Sequence, residues 1–286
     1  MIDYDISLVL NYIQKSFRLT DEKLSEILNI DRTTLYNWKT ENTCPSAKNM
    51  EMIFNYAYEK GLRMNKSMEQ IYKEMYCGKR DHILFHGARS RITEPYSILK
   101  CEDENDFGRA MYFGESFDQS AAFVHSNKEG CVYINHFNDE GFKAIQFNVD
   151  SDWMFTIAYY RGYIPQYANS PLIQNLIDRL KGADYIVAPI ADNNMFAVIE
   201  DFVAGNITDV QCQHGLSASN LGKQYVFTNQ TVLDRITPLK LCYLSSAERK
   251  QYRMLGRERK KESDDKVRMA KQTFNGQGKY INQILE

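Results

Sequence analysis

Residues 106–123 read DFGRAMYFGESFDQSAAF. The run Gly108-x-x-x-Tyr112-Phe113 has the look of a strand edge, and FDQSAAFVH behind it has the spacing of a short helix. The same grammar extends in both directions. From Ile83 onward, β-like runs (ILFHG, CVYINHF, KAIQFNV, DYIVAPI, QYVFTN, LKLCYL) alternate with turns and with helical stretches such as SPLIQNLIDRL and MFAVIEDFVAG. That mixture predicts an α+β domain over residues 82–245.

Upstream, residues 1–75 follow a helical period instead. Ile6, Leu8, Val9, Leu10, Ile13 and Phe17 form an apolar stripe, Thr20 can cap DEKLSEIL, and Asp31 can cap RTTLYNWKT. After Pro45 and Ser46 a fourth helix puts Met50, Ile53, Phe54 and Ala57 on one face. MNKSMEQIYKEMYC reads as a further helix or a linker, and Gly78-Lys79-Arg80 marks the change of grammar. Downstream, residues 246–286 hold a charged stretch from Ala247 to Lys271, expected to be one solvated helix, and then a polar tail.

Three short stretches carry chemistry when taken together: His86-Gly87 closing LFHG, the 106–123 stretch, and Gln224 opening QYVFTN. Their order resembles the diphtheria-toxin-like ADP-ribosyltransferases, the clade of the poly(ADP-ribose) polymerases and of small bacterial toxin-like branches. Gly108, Tyr112 and Phe113, followed by Ser120, Ala121 and Phe123, stand for that family's G-x-x-x-Y-F and S-A-x-Y pattern. The likeness implies a split β-sheet domain, NAD as substrate and no metal. It also implies roles. The Gly87 backbone and the Ser120 hydroxyl would hold the nicotinamide carboxamide. Tyr112 and Phe123 would cover the two ring faces, and His86 would bond the adenine-side ribose. Gln224 would occupy the place of the catalytic glutamate, and Phe123 that of the usual tyrosine.

The physical logic agrees with these roles. An amide needs a backbone donor and acceptor in a tight pocket, and a glycine permits that approach. Stacking survives the Tyr-to-Phe change. A glutamine can orient a ribose but brings no negative charge to an oxocarbenium-like transition state. Transfer of a single ADP-ribose, or an inactive pocket, is therefore expected rather than polymer synthesis. Glu115, Glu200 and Asp201 are candidate compensating acids, and the 214–222 stretch HGLSASNLG is the expected acceptor loop.

The passage LTDEKLSEILNIDRTTLYNWKTENTCPS resembles the Cro/repressor helix-turn-helix, which implies DNA contacts from Arg32, Thr33, Thr34, Asn37 and Lys39. Charge argues against this: residues 1–60 hold seven Lys or Arg against nine Asp or Glu, a net charge of −2. The unit can equally serve docking or dimerisation. Six scattered cysteines suggest neither zinc nor disulfides. No Gly-rich phosphate loop announces a Rossmann fold, and no run of about 20 apolar residues announces a membrane span. The expectation is a cytoplasmic mono-ADP-ribosyltransferase, a toxin or defence effector with a protein or nucleic-acid acceptor and a cognate antitoxin as candidate partner. The alternatives are an NAD glycohydrolase and a DNA-binding regulator with an NAD-sensing pocket.

Overall fold

The computed structural model describes residues 3–191, 193–217 and 222–286. Five helices open the chain: α1 Ile6–Phe17, α2 Asp21–Ile27, α3 Arg32–Lys39, α4 Ala47–Glu59 and α5 Met64–Met75. The expected cap holds at Thr20, whose hydroxyl accepts from Lys23 N, and Ser46 caps α4 in the same way, its hydroxyl accepting from Asn49 N. Asp31 stands at the N-cap position of α3, but its side chain makes no capping bond. Leu10, Ile13, Leu24, Leu28, Leu35, Trp38, Ile53 and Ala57 fill the core of this unit. Leu8, expected in the apolar stripe, is exposed.

The rest of the chain builds one sheet. Its strands are β1 Asp81–Ala88, β2 Met111–Gly114, β3 Cys131–Asn138, β4 Ala144–Gln146, β5 Tyr185–Pro189, β6 Lys223–Phe227 and β7 Thr237–Tyr243. Among the described residues the order is β4-β5-β6-β2-β1-β3-β7, antiparallel throughout except for the parallel β4–β5 pair. The interleaved helices are α6 Phe117–Val124, α7 Ser151–Tyr160, α8 Pro171–Lys181, α9 Asn193–Val203, α10 Asp209–Ser217 and α11 Gln230–Leu233, with α12 Ser246–Thr273 and α13 Asn282–Leu285 closing the chain. None is long and apolar enough to cross a membrane, among the described residues.

The sheet is nearly severed in the middle. β1 pairs with β3 along its whole length, from Asp81↔Asn138 to Ala88↔Cys131, but with β2 only at Phe85↔Gly114. Each half has its own cover on one face. Phe117, Ala121 and Val124 of α6 pack on Phe85, Val132 and Ile134, whereas Trp153, Ile157, Ile199 and Phe202 of α7 and α9 pack on Ile186, Ala188 and Val226. The opposite face packs Leu84, Phe113, Phe137, Tyr185 and Phe227 against Val232 and Leu233 of α11.

Both chain ends are part of this body. Helix α5 is no linker: Glu69 accepts from Phe117 N at the start of α6, and Lys73 donates to the Glu115 carbonyl. Tyr243, at the end of β7, stacks on Phe54 with ring centroids 4.8 Å apart. Helix α12 runs 28 residues, as its charge pattern suggests. The segment after it departs from the expected polar tail, because Ile281 and Leu285 are buried in the same cluster as Trp153. Ile281 at the N-cap of α13 and Leu285 at its last residue both bury apolar surface there.

Candidate active site

Strand alternation decides which side chains can meet. The register Phe85↔Gly114, Gly114↔Gln224 and Ala188↔Gln224 puts Gln224 in one row with Gly114. Two residues further along β2 and β6, Tyr112↔Val226 forms the next row on the same face. Tyr112 and Gln224 are therefore diagonal neighbours, and Gly114 leaves no side chain beside them. Over Gly114 sits the first turn of α6, started by a reciprocal Ser116–Gln119 capping box. A Cβ on Gly114 would lie 2.8 Å from Gln119 Oε1 and 3.3 Å from Ser120 Oγ.

Ser120 and Gly87 are on this face too. Ser120 is buried and donates to the Phe85 carbonyl at 2.8 Å. Gly87 has a structural reason to be glycine that its sequence context did not reveal: a Cβ there would lie 2.4 Å from the Ser120 carbonyl oxygen. Phe123, one turn beyond Ser120, is 68% exposed, and therefore makes no buried stack in this state. Tyr112 is half-buried and fully engaged at its hydroxyl, which accepts from Phe107 N at 3.0 Å and donates to the Gly108 carbonyl at 2.9 Å. Burial pushes its phenol up, so it stays protonated. Tyr112→Phe should lower stability by about 1–2 kcal/mol in denaturant titrations, because Phe107 N and the Gly108 carbonyl lose a shared partner.

His86 projects from the other face, against Phe113 and Tyr96 at 5.4 and 5.9 Å between centroids. It reaches back across the break in the sheet, where Nδ1 meets the Tyr112 carbonyl at 2.8 Å. A carbonyl only accepts, so Nδ1 carries the proton and Nε2 is left as an acceptor. Burial holds the imidazole below its usual range, which keeps it neutral.

The expected compensating acids are engaged with partners other than Gln224. Glu115 accepts from Lys223 N at 2.9 Å, and Asp201 pairs with Lys271 of α12. Glu200 faces Tyr163, whose phenol is pushed up by burial and then by that carboxylate. The acid that touches Gln224 is Asp106, which sequence reasoning passed over. Gln224 Nε2 donates to Asp106 Oδ2 at 3.0 Å and to the Pro189 carbonyl at 3.1 Å, and both side chains are buried. Arg161 binds the other oxygen, Nη2 and Nε lying 2.7 and 3.1 Å from Asp106 Oδ1. The sequence carries no signal that pairs Asp106 with Gln224, 118 positions away.

Of the expected acceptor loop, His214 to Ser217 belong to α10, His214 stacking on Phe274, and 218–221 lie outside the described residues. Of the candidate DNA-contacting residues, Arg32 and Thr33 are exposed, while Thr34 and Asn37 are half-buried. Lys39 is tied to Asp21 at 2.8 Å and to Gln14. Among the described residues no group of His, Cys, Asp and Glu is arranged to hold a metal ion.

A family described as "Protein of unknown function (DUF3990)" matches residues 82–237, more than half of the chain. No curated protein and no solved structure matches. The matched span starts one residue into β1 and ends at the first residue of β7, so it takes in His86, Tyr112, Ser120 and Gln224. The chain belongs to the DUF3990 family.

Proposed function

We propose that the chain is a mono-ADP-ribosyltransferase that moves one ADP-ribose from NAD to a protein or nucleic-acid acceptor. The observation that carries this reading is the break in the sheet at Phe85↔Gly114, with Gly87, Tyr112 and Ser120 on one face of the sheet there and His86, from the other face, reaching across the break. The resemblance of residues 82–244 to diphtheria-toxin-like transferases asks for a split sheet with those residue types at its centre.

The side chains suit the chemistry. The Ser120 hydroxyl directs its O–H to the Phe85 carbonyl, so its lone pairs serve a carboxamide N–H. Gly87 offers backbone at the same place. His86 Nε2, neutral and basic, accepts from a ribose hydroxyl. Tyr112 supplies one aromatic face, and the exposed ring of Phe123 is free of protein cover for the other. In the reaction the bond between nicotinamide and ribose breaks with its electron pair leaving on nicotinamide. The acceptor's lone pair closes on the same carbon, and the acceptor releases a proton.

Labelled NAD incubated with the folded protein and cell lysate tests the reading. Label retained on a macromolecule, with nicotinamide released, is the expected result. Nicotinamide release without retained label would instead make the protein an NAD glycohydrolase. Neither signal from folded protein would end the reading. For residues 1–75 we propose a repressor-type helix-turn-helix used for docking, since the acidic balance and the Lys39–Asp21 pair leave little to neutralise phosphates.

A further inference from the structure

The glutamine at position 224 stands where the resemblance asks for a carboxylate, yet a carboxylate lies directly beside it. An amide has two N–H donors on one end and an oxygen acceptor on the other. Both neighbours of Gln224 Nε2, the Asp106 carboxylate and the Pro189 carbonyl, can only accept. Turning the amide over would set its oxygen against two oxygens. The amide is therefore held one way round, with Oε1 turned away from both. Asp106 cannot release it by rotating, because Arg161 occupies Oδ1 while Gln224 occupies Oδ2. Arg161 is itself fixed, its guanidinium 3.9 Å from the centroid of the Phe196 ring. The backbone that carries Asp106 is pinned next door by the Tyr112 hydroxyl on Phe107 N and the Gly108 carbonyl.

We propose that Asp106 is a positioning residue: held by Arg161, it locks the Gln224 amide so that Oε1 is the atom presented to the nicotinamide-side ribose. Asp106 and Gln224 thus form a carboxylate–amide pair with the two groups exchanged relative to a site that has glutamate at 224. This rests on the transferase reading. It has a consequence opposite to the obvious one. Restoring glutamate at 224 should harm the protein, because two buried carboxylates would then face one another about 3 Å apart, with Arg161 on the far oxygen of Asp106 and no cation on the new carboxylate.

Three variants of the full chain test this, with nicotinamide release from NAD, NAD affinity and thermal midpoint as readouts. Asp106→Asn keeps the shape, but Arg161 claims the amide oxygen, which leaves Asn N–H facing Gln224 and turns the Gln224 amide over. Its kcat should fall about 100-fold, the scale of a misplaced contact group, with a much smaller change in KM. Gln224→Glu should fall comparably, and its thermal midpoint should drop more steeply than that of wild type as pH rises from about 5 to about 8, because its new carboxyl resists ionising beside Asp106. The charge-conserving exchange, Asp106→Asn with Gln224→Glu, should recover turnover to within about tenfold of wild type and return the pH dependence of the midpoint to that of wild type. A purely structural Asp106 predicts no such recovery of turnover. Gln224→Glu as active as wild type, or an exchange no better than Gln224→Glu alone in turnover or in folding, would overturn the proposal. If the folded wild-type protein neither binds nor cleaves NAD, the transferase reading falls and takes this role with it. A wild type that turns over NAD, with the wrong pattern among the variants, overturns the positioning role alone.

Discussion

Gly87→Ala should destabilise the protein by roughly 1–3 kcal/mol and, on the proposed transferase reading, cut NAD cleavage at least tenfold, although it adds a single methyl group. The new Cβ would stand 2.4 Å from the Ser120 carbonyl oxygen and 3.1 Å from Val124 Cγ1. The first of these is helix backbone, which cannot rotate aside as a side-chain tip can. Helix α6 must then lift from β1, against the packing of Phe117, Ala121 and Val124 on Phe85. The lift carries Ser120 and Phe123 with it and breaks the 2.8 Å bond from Ser120 to Phe85. Thermal denaturation should show a midpoint lower by several degrees, at about 2–4 °C per kcal/mol for a chain of this size. Nicotinamide release should fall by at least tenfold even at temperatures where the variant is folded. A variant with wild-type midpoint and turnover would mean that α6 is not seated on Gly87 in solution.

The second large effect concerns pH. Glu248, in the first turn of α12, is buried against α5, where Asn65 Nδ2 donates to its Oε2 at 2.9 Å. A carboxylate in the first turn of a helix is normally favoured. Here burial dominates and pushes the carboxyl up to about 8, with Asp118 adding to the shift and Asn65 and Arg63 opposing it. Tyr252, Tyr58 and Cys242 are further titratable groups that interact with it. The unfolded chain releases this proton near 4.5, so between 4.5 and about 8 the folded protein holds one proton more. Stability that is full below the lower value is lost as pH rises toward the upper one, a difference on the order of a few kcal/mol. Glu248→Gln stays neutral throughout and can still accept from Asn65. It should match wild type near pH 4.5 and exceed its stability at about pH 8 by a few kcal/mol. Urea titrations across that range would show it, and parallel curves for the two proteins would exclude it.

That proton sits at a junction. Asn65 also donates to the Tyr243 carbonyl, and Glu69 on the same helix caps α6. Helix α5 therefore ties the N-terminal unit to both β7 and the element that carries Ser120. Loosening of α5 at high pH should reach the site through α6.

Much of the molecule was readable in its residues because the relevant physics is local. The apolar period of 1–60, the cap at Thr20, and the six β-like runs all correspond to observed elements. So does the single helix across the charged C-terminal stretch. Each depends on neighbours within a few positions, and side-chain spacing encodes these directly. The 106–123 stretch likewise announced a strand and a helix, and its aromatic and small residues picked out the centre of the sheet.

What the tertiary structure alone decided is which of those residues meet. His86 and Tyr112 are 26 positions apart and project from opposite faces, and only the single-pair break between β1 and β2 lets an imidazole bridge them. Asp106 and Gln224 are 118 positions apart, so no local pattern could pair them. Gly87 looked like an approach for a ligand and proved to be, first, an approach for α6. Ile281 and Leu285 looked like a polar tail and proved to be core. In each case the deciding quantity is the distance between backbones distant in sequence. Strand register and helix docking set it, through contacts that no short window of the 106–123 stretch or its neighbours contains.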